Sequence, residues 1–172
     1  VVRSDTEARE LADMRGGVCA VNGRDSHSGY NALRRMVAPL AQGDAFFSGV
    51  IETGGHVASL RQVADGAADL CAVDAVTHAL LARHAPARLA RTRVLGFSPN
   101  APGLPYVAGH GVDADTRERM RGAIVAGLAD PALAEVRAAL LIDGMQTLPL
   151  SAYDEITAME DGARALGYPQ LC

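Results

Sequence analysis

The first half of the chain repeats one pattern: a short apolar run, a polar turn, then apolar positions at helical spacing. Val18 to Val21 is such a run and Asn22 to Gly29 is polar and turn-prone; from Tyr30 to Leu40, Leu33, Met36, Val37 and Leu40 share one side of a helix. Gly43 breaks that pattern. Phe46 to Glu52 alternates as a strand, Thr53-Gly54-Gly55-His56 turns, and Val57 to about Ala64 reads as a helix stopped by Asp65-Gly66. The third unit places a strand over Asp69 to Val73, Asp74 at its carboxyl end and a helix from Ala75 to about Arg83. Arg93 to Phe97 adds a further strand. Ahead of these units, Val1 to Arg3 reads as a strand end and Thr6 to Met14 as a short helix closed by Gly16 and Gly17.

Strands alternating with helices at these spacings predict an α/β fold with a mainly parallel, doubly wound sheet. Ligands of such sheets bind outside the carboxyl ends of the strands, where the Ser26-Ser28, Thr53-His56 and Asp74 turns would all fall. Ser98 to Pro105, Ser-Pro-Asn-Ala-Pro-Gly-Leu-Pro, fits neither helix nor central strand and reads as a stiff connector. Beyond it Tyr106 to Ala108 is extended. Asp115 to Leu128, Pro131 to Leu141 and Tyr153 to Leu166 read as amphipathic helices, with Asp115 and Ser151 as start signals and Gly167 ending the last.

Composition narrows the class. The chain has 172 residues, 49% of them hydrophobic and 21% charged, enough for a substantial core of a globular domain. A net charge of -4, with no basic stripe, argues against nucleic acid or an anionic membrane surface as partner. All 16 basic residues are Arg, so a Walker loop with its Gly-Lys-Ser/Thr is excluded. Cys19, Cys71 and Cys172 match no zinc spacing; the first two lie in apolar runs and read as small buried hydrophobes. No apolar run reaches the length of a membrane span and no signal peptide precedes the first strand. The opening Val1-Val2-Arg3-Ser4-Asp5 reads as the interior of a longer protein.

The candidate chemistry gathers at the turns. Ser26, Ser28, Thr53 and backbone N–H groups near Gly29 and Gly54 are neutral donors suited to a tetrahedral oxyanion, and His56 can add a charge-assisted bond. The same Ser26-to-Tyr30 stretch has a plainer reading as a helix cap. Asp74 has two roles open to it, one toward a ligand and one as cap of the helix that follows. His27, His78, His84 and His110 read as surface or core histidines. A hydrolase would need Ser28, His56 and Asp74 within hydrogen-bond reach, without a Gly-x-Ser-x-Gly elbow to mark the nucleophile. No histidine pair has the spacing of a metal face, so neither a metal nor a cofactor is expected.

Four motifs carry a resemblance: Asn22 with Asp25-Ser26-His27-Ser28-Gly29-Tyr30; Thr53-Gly54-Gly55-His56-Val57-Ala58-Ser59; Gly66 through Thr77; and Ser98-Pro99 with Pro102-Gly103-Leu104-Pro105. In order and spacing the chain resembles the substrate-binding proteins of phosphate, phosphite and phosphonate ABC transporters. The resemblance implies a type 2 periplasmic-binding-protein fold, two α/β lobes that close on a ligand. On it, residues 1–97 are the second lobe, 98–108 the hinge and 109–172 a C-terminal helical segment packing on the lobe or lobes, with most of the first lobe missing.

The resemblance also implies the site and the setting. Ser26, Ser28, Gly29, Thr53 and His56 would contact the oxyanion, with His27 supplying backbone and Tyr30, Gly54 and Asp74 completing the ligand-binding set. Leu104 stands where relatives that take aminoalkylphosphonates carry an acid. The expected function is noncatalytic capture of a small oxyanion, with a membrane permease as partner, a periplasmic or membrane-anchored location, and self-association open to an exposed lobe. A ligand-sensing module of a signalling protein is the alternative, and a Ser/His/Asp hydrolase the third.

Overall fold

The computed structural model describes residues 1–41 and 45–172, so the Gly43 break lies outside the described residues. The chain divides into two units, residues 1–101 with 153–172, and residues 102–152. In the first, five strands are described: β1 (Val2–Arg3), β2 (Val18–Val21), β3 (Gly49–Glu52), β4 (Leu70–Cys71) and β5 (Thr92–Arg93), in sheet order β3-β2-β4-β1-β5. β2 lies parallel to both β3 and β4, with Cys19 opposite Val50 and Leu70. β1 is inserted antiparallel between β4 and β5. Four strands therefore run one way and one the other, a mixed, mainly parallel α/β sheet.

Alternation along β2 sorts the core onto two faces. Cys19 and Val21 join Val2, Leu70, Leu33, Val37, Phe46 and Tyr168 on one side. Ala20 joins Leu60, Val63, Ala68 and Cys71 on the other. Helix α1 (Ala32–Ala41) covers the first face and α2 (His56–Ala64) the second. Each large side chain so buried contributes roughly 1.5–3 kcal/mol. Cys19 and Cys71 thus lie on opposite faces, where their sulfurs cannot reach one another. Burial pushes the Cys19 thiol up to about 12 and that of Cys71 to about 11.

The C-terminal segment returns to α1. After α3 (Ala75–His84) and the second unit, α6 (Asp154–Ala165) packs along α1. The tail that follows is held by backbone and side chain alike. Phe46 and Phe47 donate their N–H groups to the Cys172 carbonyl at 2.7 and 2.9 Å. The Leu171 N–H donates to the buried Tyr30 hydroxyl at 3.1 Å. Arg34, only 4% exposed, directs its guanidinium to the carbonyls of Pro169 and Glu160 and to Asn31.

Several expected elements are shorter than the pattern implies. Only Leu11–Met14 of the Thr6-to-Met14 stretch makes a helical turn. The Arg93 guanidinium takes the Thr6 and Ala8 carbonyls, and Asp13 takes the N–H groups of Arg9 and Glu10, so those backbone groups are unavailable to a longer helix. Phe46 and Phe47 bond the tail and lie outside β3. Phe97, at 82% exposed, lies outside β5, which ends at Arg93.

The second unit contains α4 (Ala114–Ala129), a 3₁₀ turn (Pro131–Leu133) and α5 (Ala134–Leu140). The residue that starts α4 is Asp113, not Asp115: its carboxylate accepts from the Thr116 N–H and hydroxyl, both at 2.8 Å. Ser151 does not cap a helix either, lying inside a 3₁₀ turn (Leu150–Tyr153) ahead of α6. No residue of α4 or α5 is buried.

Candidate functional site

The turn after β2 is built around a helix start that comes earlier than periodicity implies. A π turn (His27–Asn31) runs directly into α1, so Ser28, Gly29 and Tyr30 are its first turn rather than its approach. The Ser26 carbonyl accepts from Asn31 N–H at 3.0 Å, and the Ser26 hydroxyl caps the Gly29 N–H at 3.0 Å. Remaining first-turn N–H groups have no intrahelical acceptor, and the helix dipole adds positive potential there. His27 turns away: its Nδ1 lies 3.3 Å from Asn31 Nδ2, which also donates to the Ile156 carbonyl at 3.0 Å. Burial lowers the His27 pKa, opposed by Glu155.

The turn after β3 is held differently. The Thr53 hydroxyl lies 3.0 Å from the Val21 carbonyl, 3.1 Å from the Gly55 carbonyl and 2.7 Å from the hydroxyl of fully buried Ser59. Its one proton and its lone pairs are engaged within the turn. Gly54 adopts φ +81°, a left-handed conformation, with open space where a side chain would stand. His56 then opens α2 as its first residue.

The two turns meet at Ser28 and His56, where Ser28 Oγ lies 3.3 Å from His56 Nε2. Gly29 makes the approach feasible. A Cβ there would stand 1.8 Å from Asn22 Oδ1 and 3.0 Å from His56 Cε1. Two first turns, a hydroxyl and an imidazole thus converge, with unpaired N–H groups around them. The arrangement can donate several hydrogen bonds to a small anion.

Asp74 is occupied elsewhere. Its carboxylate accepts from the Thr77 N–H at 2.7 Å, capping α3. His56 Nδ1 is buried and unpartnered, so a Ser28-His56-Asp74 relay is not assembled. Among the described residues no cluster of His, Cys, Asp and Glu could hold a metal ion. A groove of about 670 Å³ does exist, but at the amino ends of β2 and β4, lined by Glu7, Arg9, Asp13, Gly17 and Asp69 among others. Its charges are mixed and partly committed: Asp69 accepts from Val18 N–H at 2.7 Å, and Asp13 bonds the backbone of Arg9 and Glu10.

Residues without a role assigned from sequence stand out here. Ser59 holds the Thr53 hydroxyl, and its position one turn inside α2 is a signal only when the Thr53 partner is known. Asn22 abuts Gly29, and only a strand-end Asn paired with a downstream Gly hints at it.

Residues 1–153 match a family model described as the periplasmic substrate-binding protein of phosphonate ABC transporters. A search of curated proteins finds no match. Among solved structures, XAC2383 from Xanthomonas citri bound to chloride ion is similar at 17% identity and a TM-score of 0.66. The same protein bound to ATP is similar at 17% identity and a TM-score of 0.65. Each alignment covers 96% of this chain and 64% of the other, and the likeness is one of fold.

Proposed function

Because the chain belongs to the periplasmic substrate-binding proteins of phosphonate ABC transporters, we propose that it captures a small oxyanion of the phosphonate, phosphite or phosphate class without transforming it. The observation that carries this reading is the 3.3 Å approach of Ser28 Oγ and His56 Nε2 where the first turns of α1 and α2 meet. Ser28 and His56 contact the anion with their side chains. The turn N–H groups, from His27 on one side and Gly54 on the other, add neutral donors. Gly29 offers its backbone to the site and leaves room for Asn22 and the His56 ring, while Ser26 and Thr53 hold the turns in shape and Tyr30 anchors α1 beneath them. Asp74 stays with α3 and borders the site.

Membership of the family supports a membrane permease as partner and an extracytoplasmic location. No helix among the described residues is long and apolar enough to cross a membrane. Residues 98–108 act as the hinge between this lobe, residues 1–97, and its counterpart.

Calorimetric titration with phosphate, phosphite, methylphosphonate and sulfate tests the reading. Ser28→Ala or His56→Ala weakens oxyanion binding by about tenfold or more, since a hydrogen bond to a charged group is worth roughly 1.5–3 kcal/mol. Unchanged affinity in both variants sinks the assignment.

A further inference from the structure

Three buried side-chain polar atoms among the described residues have no hydrogen-bond partner, and two of them, Asn22 Oδ1 and His56 Nδ1, belong to residues packed against Gly29. One is an obligate acceptor; the other donates when it carries the ring proton. His56 Nε2 faces the Ser28 hydroxyl at 3.3 Å, which suits a neutral ring whose Nε2 accepts and whose Nδ1 is protonated. That tautomer needs an acceptor on the far side of the ring. Asn22 Oδ1 fills the place a Cβ on Gly29 would take, against the ring edge at His56 Cε1.

We propose that Asn22 is a positioning residue of the anion site, its side-chain carbonyl taking the hydrogen bond of His56 Nδ1–H so that Nε2 is the nitrogen left facing Ser28 and an oxyanion oxygen. In the structure both atoms stand unbonded, and the bond forms when the two side chains turn toward one another. The same bond serves the neutral ring and the imidazolium, because Nδ1 keeps its proton in both; Nε2 alone gains or loses one beside the anion. Gly29 is the third part of the device, since any side chain there would occupy the position of the Asn22 carbonyl. The inference rests on the oxyanion reading for its purpose, but not for its geometry.

The first measurement therefore uses no ligand. Long-range ¹H–¹⁵N spectra of the intact protein at about pH 8.5, where an ordinary imidazole is neutral, report the His56 tautomer, assigned by the signal lost in His56→Gln. Nδ1 is expected protonated and Nε2 bare in the wild type. Asn22→Leu moves the ring toward the opposite tautomer, and Asn22→Asp, which keeps an acceptor in place, restores it. A bare Nδ1 in the wild type, or an unchanged ring in Asn22→Leu, overturns the proposal. If Asn22→Leu does not fold, the wild type and Asn22→Asp still decide it.

Titration with inorganic phosphate and methylphosphonate then separates the two readings. Affinity in Asn22→Leu is expected to fall tenfold or more, and an unchanged affinity overturns the positioning role. Wild-type protein that binds neither anion overturns the oxyanion reading instead, while the tautomer result stands by itself.

Discussion

The turns after β2 and β3 use similar residues to different ends. In the first, the Ser26 hydroxyl accepts the Gly29 N–H as a cap and keeps its own proton, and Ser28 faces His56. In the second, the Thr53 hydroxyl is enclosed by Val21, Gly55 and Ser59. The glycines differ as well: Gly29 is needed for space, Gly54 for backbone conformation. Similar Ser/Thr-Gly chemistry therefore does not mean similar roles. A hydroxyl is available to a ligand only when the surrounding backbone has not already satisfied it.

The largest expected effect tests the glycine contrast. Gly29→Ala drives a methyl into the Asn22 carbonyl and against the His56 ring, so that a side chain must give way, and destabilisation of about 2–3 kcal/mol is expected by thermal or urea unfolding. Gly54→Ala meets open space at φ +81° and costs about 1–2 kcal/mol, the penalty of the left-handed region alone. Equal losses would erase the distinction.

Next comes the anchoring of the first turn. Tyr30→Phe leaves the Leu171 N–H without its acceptor, and a loss of about 1–3 kcal/mol is expected in the same assay. Among the described residues the second turn has no such tie to the tail.

Hydroxyl removal separates the turns more finely. Thr53→Val deletes an internal hydrogen-bond hub and lowers stability by about 1–2 kcal/mol. Ser28→Ala changes stability by about 0.5 kcal/mol or less, its effect showing in binding. The reverse ordering of stability losses would mean that Ser28, not Thr53, is the structural hydroxyl.

The smallest effect is electrostatic. Burial lowers the His27 pKa, so the folded state favours the neutral ring. Stability from this group is full above the ordinary histidine pKa, is lost as pH falls from there through the lowered folded value, and changes no further below it. His27→Gln should flatten the stability profile across that window. An unaltered slope would remove His27 from the account.

The strand-turn-helix units were legible because apolar runs and helical spacing record burial on one face. Their carboxyl-end turns were legible for the same reason. The reversal of β1 was not, since Val2–Arg3 is too short to show a period and direction is set by pairing. Arg34 illustrates another limit: a charged residue on a helix signals solvent until the carbonyls that enclose it are known. The Thr6-to-Met14 helix failed on a long-range bond, from Arg93 to carbonyls the helix would have used. Within the site, Ser28 and His56 were named from their chemistry, but Thr53's engagement depends on Ser59, and Asn22's abutment on the depth of Gly29, neither of which leaves a periodic trace.

The tail clasp has a mechanical meaning. Leu171 hangs from Tyr30 and Pro169 from Arg34, both on or next to the first turn of α1, while Cys172 is tied to Phe46 and Phe47 ahead of β3. Tension applied at residue 172 would load the first turn of α1 and the segment ahead of β3 together. The last few residues thus behave as a drawstring on the first turn of α1, and slack introduced there should loosen Ser28 without touching it.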